Sequence, residues 1–249
     1  MPVPVRPPGL PGPEPVDRTG AAPRTAPGDG LARAYARAAG LSGIVFAVLF
    51  TLALVLVRQG PGLGDPDPVY AAFYASDSRA LLVTVGLYVV PFAGIACLWH
   101  MIATRTLLQV LAPRSWSRIP HWLQLASGVV FVCMLFAGTA AVGGAALLTR
   151  FSDSPPPSAE IARALAAVGY AMVFVYGVRA AGMYMISTTG LARTVGLLPG
   201  PAAAVSYLVA AFLLVSTTFH PAILLVFPAW VLVLSIVLLV RRPTGANTT

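Results

Sequence analysis

Six runs of roughly 18 to 27 mostly apolar residues, separated by short polar connections, fill the chain from about residue 38 to 240. They read as Ala38–Val57, Ala80–Ala103, Trp122–Leu148, Ile161–Ile186, Ala202–Phe219 and Ala222–Val240. A hydrocarbon core of about 30 Å takes about 20 helical residues to cross, so each run predicts a transmembrane helix. The apolar stretches are continuous rather than alternating, which excludes a transmembrane β-barrel. The pattern predicts an all-α membrane protein, a bundle of six transmembrane helices over 35–242, with tails at 1–34 and 243–249.

The breaks between runs refine this picture. Residues 1–30 hold nine prolines; such a segment cannot bury a core and is expected to be disordered with polyproline-II character. The first run is too long for a signal-peptide core and lacks a following small-residue cleavage site, so a retained helix is expected. In the connection 58–79, Asp67-Pro68 offers a helix start, and the aromatic Val69–Tyr74 stretch suits the membrane interface. Asp77 or Ser78 can cap the second crossing and Ser158 the fourth. Only Phe219-His220-Pro221 joins the last two runs, which predicts a tight antiparallel hairpin. Pro91 and Pro228 each remove a backbone donor in mid-span and predict kinks. The third run has Ala137, Ala141 and Ala145, with Ala140 and Gly144, at the four-residue spacing that lets helices approach closely. Gly177 and Ala181 repeat that spacing in the fourth. The third run is therefore expected at the centre of the bundle.

Composition agrees: the chain is 57% hydrophobic and 10% charged. All sixteen basic residues are arginine, and with the abundant alanine this suggests a GC-rich bacterial, actinobacterial source. The net charge of +8 invites a nucleic-acid reading. The arginines, however, sit at the ends of apolar runs rather than clustering on one surface, so no nucleic-acid partner is expected. One side of the predicted bundle carries eleven of them (Arg6, Arg18, Arg24, Arg33, Arg37, Arg105, Arg114, Arg118, Arg193, Arg241, Arg242). The other carries four (Arg58, Arg79, Arg150, Arg163). By the positive-inside rule both termini are cytoplasmic, which places the chain as a multi-pass protein of a bacterial inner membrane. Cys97 and Cys133 fall inside runs at different depths, too far apart for a disulfide; both are expected to be buried small hydrophobes.

Candidate chemistry is sparse. No Asp or Glu lies in any run, whereas cation-coupled transporters usually place a carboxylate near the midplane. There is no H-E-x-x-H, and His100, His121 and His220 are too dispersed for a metal or haem site, so no metal and no cofactor is expected. Arg179 is the one ionisable residue well inside a run. Its side chain either snorkels to the cytosolic headgroups or holds an anion or lipid phosphate together with Tyr176 and His100. Trp99, Trp116 and Trp122 read as interfacial anchors near the cytosolic boundary. His220 reads as an exposed loop histidine.

Three stretches carry a family likeness: Leu87–Trp99; Met185–Thr189 with Arg193-Thr194 and Leu198-Pro199; and Phe227–Leu232. Together they resemble uncharacterised actinobacterial membrane proteins of about six helices, over roughly residues 35–242. Those relatives are expected to carry Arg-Thr-Gly and then Leu-Pro-Arg-Trp before the fifth crossing; here Val195 precedes Gly196, and Gly200-Pro201 replaces Arg-Trp. The resemblance implies topology and no activity. The expected role is non-enzymatic, a binding or interaction component of the lipid bilayer. The alternative is a small transporter or lipid-handling protein for a neutral or anionic hydrophobic ligand, centred on Arg179. The homo-oligomeric state stays open.

Overall fold

The computed structural model describes residues 27–112, 119–151, 155 and 157–240. The proline-rich tail up to residue 26, Trp116 and the C-terminal tail lie outside the described residues. The elements are α1 (Pro27–Val57), α2 (Asp67–Tyr74), α3 (Asp77–Leu111), α4 (Ile119–Phe151), α5 (Ala159–Tyr170), a π-helical segment (Ala171–Gly177), α6 (Val178–Thr194), α7 (Gly200–Val215) and α8 (Ile223–Val240). Among the described residues there is no strand. Five stretches are long and apolar enough to cross a membrane: Gly30–Val57, Ala80–Leu111, Pro120–Phe151, Ala159–Thr194 and Ile223–Val240.

The sixth, α7, is shorter. Its 16 residues give about 24 Å at 1.5 Å per residue, and the backbone leaves the helix at Ser216 where the run of apolar residues continues to Phe219. Hydropathy marks which residues prefer lipid; it does not mark where hydrogen bonding stops.

Glycines fix the arrangement of the crossings. A Cβ at Gly40 would collide with Leu239, and one at Gly43 with Ser235 and His100, so the start of α1 lies beside the end of α8. Gly86 meets Leu56 and Val57, and Gly94 meets Phe136, so α3 runs antiparallel to α1 and to α4. We call the end where α1 starts and α8 finishes proximal, and the opposite end distal. Gly196, at φ 74°, lets the chain leave α6 in the left-handed conformation that a side chain would resist, and Leu197 N–H closes onto Ala192 O at 2.9 Å.

Several expectations are corrected. The last two crossings do not form a tight hairpin: α7 packs chiefly on α6 and α8 on α1, because residues 216–220 are non-helical and separate the two helices. The close seam of α4 is not the alanine series. Ala137 and Ala140 are exposed, and Gly144 has open space beside it; instead Gly138 and Gly169 abut through their backbones. The inward face of α4 runs through Phe131, Leu135, Gly138 and Ala145, a heptad-like stripe that the four-residue spacing misses. At the middle of the core stands Phe227 of α8, with ring centroids 4.7 Å from Phe131, 5.8 Å from Phe46 and 5.9 Å from Tyr184, spacings at which aromatic pairs attract. Both cysteines are free, as expected, but only Cys97 is buried; Cys133 is exposed on the outer surface of the bundle. Pro91 and Pro228 both sit within continuous helices.

Candidate functional site

At the distal end the helices part. Phe50, Ala53 and Leu54 of α1, Val90 and Ala93 of α3, Leu135 of α4, Val173 and Phe174 of the π segment, and Phe219 with Leu224 enclose an apolar cavity of about 120 Å³. The engineered cavity of about 150 Å³ that takes up benzene sets the scale. Arg58, one residue beyond α1, and Tyr170 also line it. The single polar group deep in the wall is the Thr139 hydroxyl, which donates to Leu135 O at 2.6 Å and so is already satisfied.

The π segment shapes one wall. Val178 N–H bonds to Val173 O, five residues back, the wider turn that defines a π-helix. The contact of Gly169 with Gly138 brings the α5–π junction against α4. Phe174 stands with Tyr170 and Phe219 at centroid distances of 5.6 and 5.7 Å, so the π segment and the α7–α8 connection meet over the cavity.

Arg179 lies just behind this wall. Its Nη1 donates to Phe174 O at 2.7 Å and its Nη2 to Ser216 O at 2.7 Å. Ser216 is the residue at which α7 ends, and the last carbonyls of a helix have no intrahelical donors and carry the negative end of its dipole. The guanidinium therefore finds its partner in backbone carbonyls. It points toward the distal end, opposite to the snorkelling direction expected from sequence, because a helical side chain leans toward its own N-terminus and two strong acceptors wait there.

The structure does not bring Arg179, Tyr176 and His100 together. Tyr176 is 60% exposed on the outer surface. His100 is fully buried, with its Nδ1 2.8 Å from Ala39 O. A separate polar group at the proximal end was missed by sequence reading. There Gln124 Nε2 donates to Thr188 Oγ1 at 2.9 Å. The Tyr184 hydroxyl lies beside Thr104, Gln124 and Thr188 but out of hydrogen-bonding alignment. All of these side chains are buried. The signal was present: His100 and Thr104, and Tyr184 and Thr188, are pairs four residues apart, hence on common helix faces.

Over the distal end α2 forms a lid. Tyr70 and Phe73 are buried against Ala145, Ala162, Val83 and Ala146. Pro66 precedes the helix and Asp67 begins it, without capping. Asp67 instead pairs with Arg163 at 2.8 Å, while Arg163 also donates to Asp65 O at 2.9 Å and lies 4.9 Å from the Tyr70 ring centroid. Tyr74, half-buried here, has its hydroxyl pushed up to about 12, by burial first and then by neighbouring Tyr70. Ser158 accepts from Ile161 N–H at 3.4 Å, the cap expected for the fourth crossing. Trp122 and Trp99 are both exposed on the surface, and Arg105 stands 4.8 Å over the Trp122 ring. Trp230, by contrast, turns inward and donates to Ser206 Oγ at 3.0 Å.

Comparison of the chain with protein-family models, with curated proteins and with solved structures finds no match. The functional reading therefore rests on this geometry.

Proposed function

We propose that this chain is a non-enzymatic binding component of a bacterial inner membrane, related to the actinobacterial proteins it resembles. In this reading it crosses six times with both termini cytoplasmic and takes a small hydrophobic ligand into the distal cavity. One observation carries it: an apolar space of about 120 Å³ at an end where a ligand can enter from the outer leaflet. The excess of arginine on the proximal side supports the orientation. Binding is favoured over transport because the proximal end is closed, by Leu239 against Gly40 and by the buried group around Tyr184. Arg179 is already bonded to two carbonyls, so it does not serve as the ligand's anchor.

The test is thermal unfolding in neutral detergent with and without benzene, the probe that sets the scale of the cavity. A ligand that binds only the folded form raises stability with its concentration. Wild type is expected to be stabilised and Ala93→Phe, which fills the cavity from a buried wall position, to lose the response. Equal responses in the two proteins would discard the cavity as the site. An alkaline phosphatase fused after Thr249 is expected to be inactive; strong activity would overturn the orientation.

A further inference from the structure

We propose that the distal cavity, read as above as the ligand site, selects a single-chain amphiphile with an anionic head, its tail in the cavity and its carboxylate or phosphate on Arg58. The inference rests on that reading of the cavity and adds the chemistry of the head. Arg58 lines the cavity at the end of α1, where a lipid headgroup would stand. Its backbone is fixed, since its N–H bonds to Leu54 O at 3.0 Å, but among the described residues its side chain has no acidic partner. Two described acids of this end are engaged elsewhere. Asp67 pairs with Arg163, and the Asp65 carboxylate accepts from Gly62 N–H at 2.8 Å.

Tyr170 supplies a second donor. It lines the same cavity, lies within electrostatic reach of Arg58 and makes no hydrogen bond through its hydroxyl among the described residues. A planar guanidinium beside a phenol suits a carboxylate or phosphate, which the guanidinium grips through two parallel bonds. The apolar wall below excludes a free ion as the whole ligand. The volume sets the chain count: about 120 Å³ is less than the roughly 150 Å³ space that admits one benzene, so it holds a few carbons of one chain and has no room for a second.

The experiment uses the full-length protein in neutral detergent at mildly alkaline pH, with a fluorescent fatty acid displaced by competitors. These are dodecanoate, dodecyl phosphate, dodecan-1-ol, inorganic phosphate and a two-chain phosphatidylglycerol. Wild type is expected to bind the two charged single-chain probes about tenfold more tightly than the alcohol, the low end for a charge-assisted bond because Arg58 is exposed. Arg58→Gln is expected to remove that preference and leave dodecan-1-ol unchanged. Arg150→Gln, which removes a different distal arginine, is expected to change nothing.

If Arg58→Gln weakens every probe equally or none, the anionic head is refuted. If phosphatidylglycerol binds more tightly than dodecyl phosphate, the single chain is refuted, and competition by inorganic phosphate alone refutes the tail. The underlying reading fails separately: Ala93→Phe leaving all probes unchanged removes the cavity itself, whereas loss of all probes without any charge preference removes only the head.

Discussion

At the distal end the helices separate around an apolar space, and the polar groups stand at its rim; at the proximal end the described helices close around buried polar groups. The two ends handle the same difficulty differently, since a polar atom in hydrocarbon is costly without a partner. Distally, the broken backbone of the π segment and of the α7 terminus is answered by one arginine from behind, which leaves the cavity wall apolar. Proximally, Gln124 Nε2 bonds to Thr188 Oγ1, and the buried Tyr184 and Thr104 hydroxyls stand beside that pair without an aligned partner. The lesson is that the open end keeps an apolar wall because its backbone is satisfied from outside the cavity. Breaking that satisfaction therefore damages the distal end first.

The largest effect is expected at the seam that holds the π segment in place. A Cβ at Gly169 would fall on the Gly138 carbonyl and on Val142, and a backbone atom cannot swing aside as a flexible side chain can. Gly169→Val is expected to lower stability by about 3 kcal/mol or more, at or beyond the upper end of overpacking costs, and to reduce accumulation in the membrane. Gly144→Ala on the same helix meets open space and is expected to be neutral. Equal melting of both variants would show that the seam carries no strain.

Next comes Arg179→Leu. Had the side chain only snorkelled, losing it would leave stability unchanged or raise it. With two carbonyls depending on it, loss is expected to cost about 1–3 kcal/mol for each acceptor left bare. Arg179→Lys is expected to recover part of this, since an ammonium lacks the planar fork that spans both acceptors. A melting temperature for the leucine variant at or above wild type would return the residue to a lipid-facing role.

A smaller effect is expected at the proximal end, where one hydrogen bond joins the buried polar side chains. Gln124→Leu is expected to cost about 1–3 kcal/mol, because it leaves the Thr188 hydroxyl bare. Tyr184→Phe removes a buried hydroxyl that has no aligned partner and is expected to leave stability unchanged or slightly raised. A cost of about 1 kcal/mol or more for Tyr184→Phe would mean that its hydroxyl is bonded within the cluster.

How much of this was legible in the sequence depends on which physical variable is asked about. Hydropathy measures transfer preference, and five of the six runs return as long apolar helices whose ends lie up to eight residues from the predicted ones. It carries no information on the direction a side chain takes once packed. Arg179 therefore looked unpartnered until Ser216, 37 positions away in the chain, was placed beside it. The π segment has no proline to announce it; it follows from Gly169 and Gly138 drawing two backbones together, a tertiary cause. Phe219 reads in sequence as part of a tight hairpin yet lines the cavity, since α7 ends four residues earlier and frees it from the helix. Tyr70 and Phe73 are three residues apart, on one face of α2, and that face was equally suited to lipid or to protein. The buried polar pairs were readable by spacing, but spacing alone could not say that α3, α4 and α6 would bring them to one place.

The smallest effect is expected at the lid, and it separates charge from packing. The Asp67–Arg163 pair is exposed, 33% on the arginine side and 75% on the aspartate, so solvent screens it and an exposed pair of this kind is worth about 0–1 kcal/mol. Asp67→Asn should thus lower stability by a few tenths of a kcal/mol at most, and added salt should erase even that. Arg163 does more than pair: it donates to Asp65 O and covers the Tyr70 ring. Arg163→Met keeps much of the apolar stem but loses the donor, and should lower the melting temperature more than Asp67→Asn does. The excess should persist in high salt, because the carbonyl carries no net charge for ions to screen. If instead both substitutions cost the same and both effects vanished with salt, the lid would be held by charge alone, and the Tyr70 and Phe73 face would have to be only loosely seated.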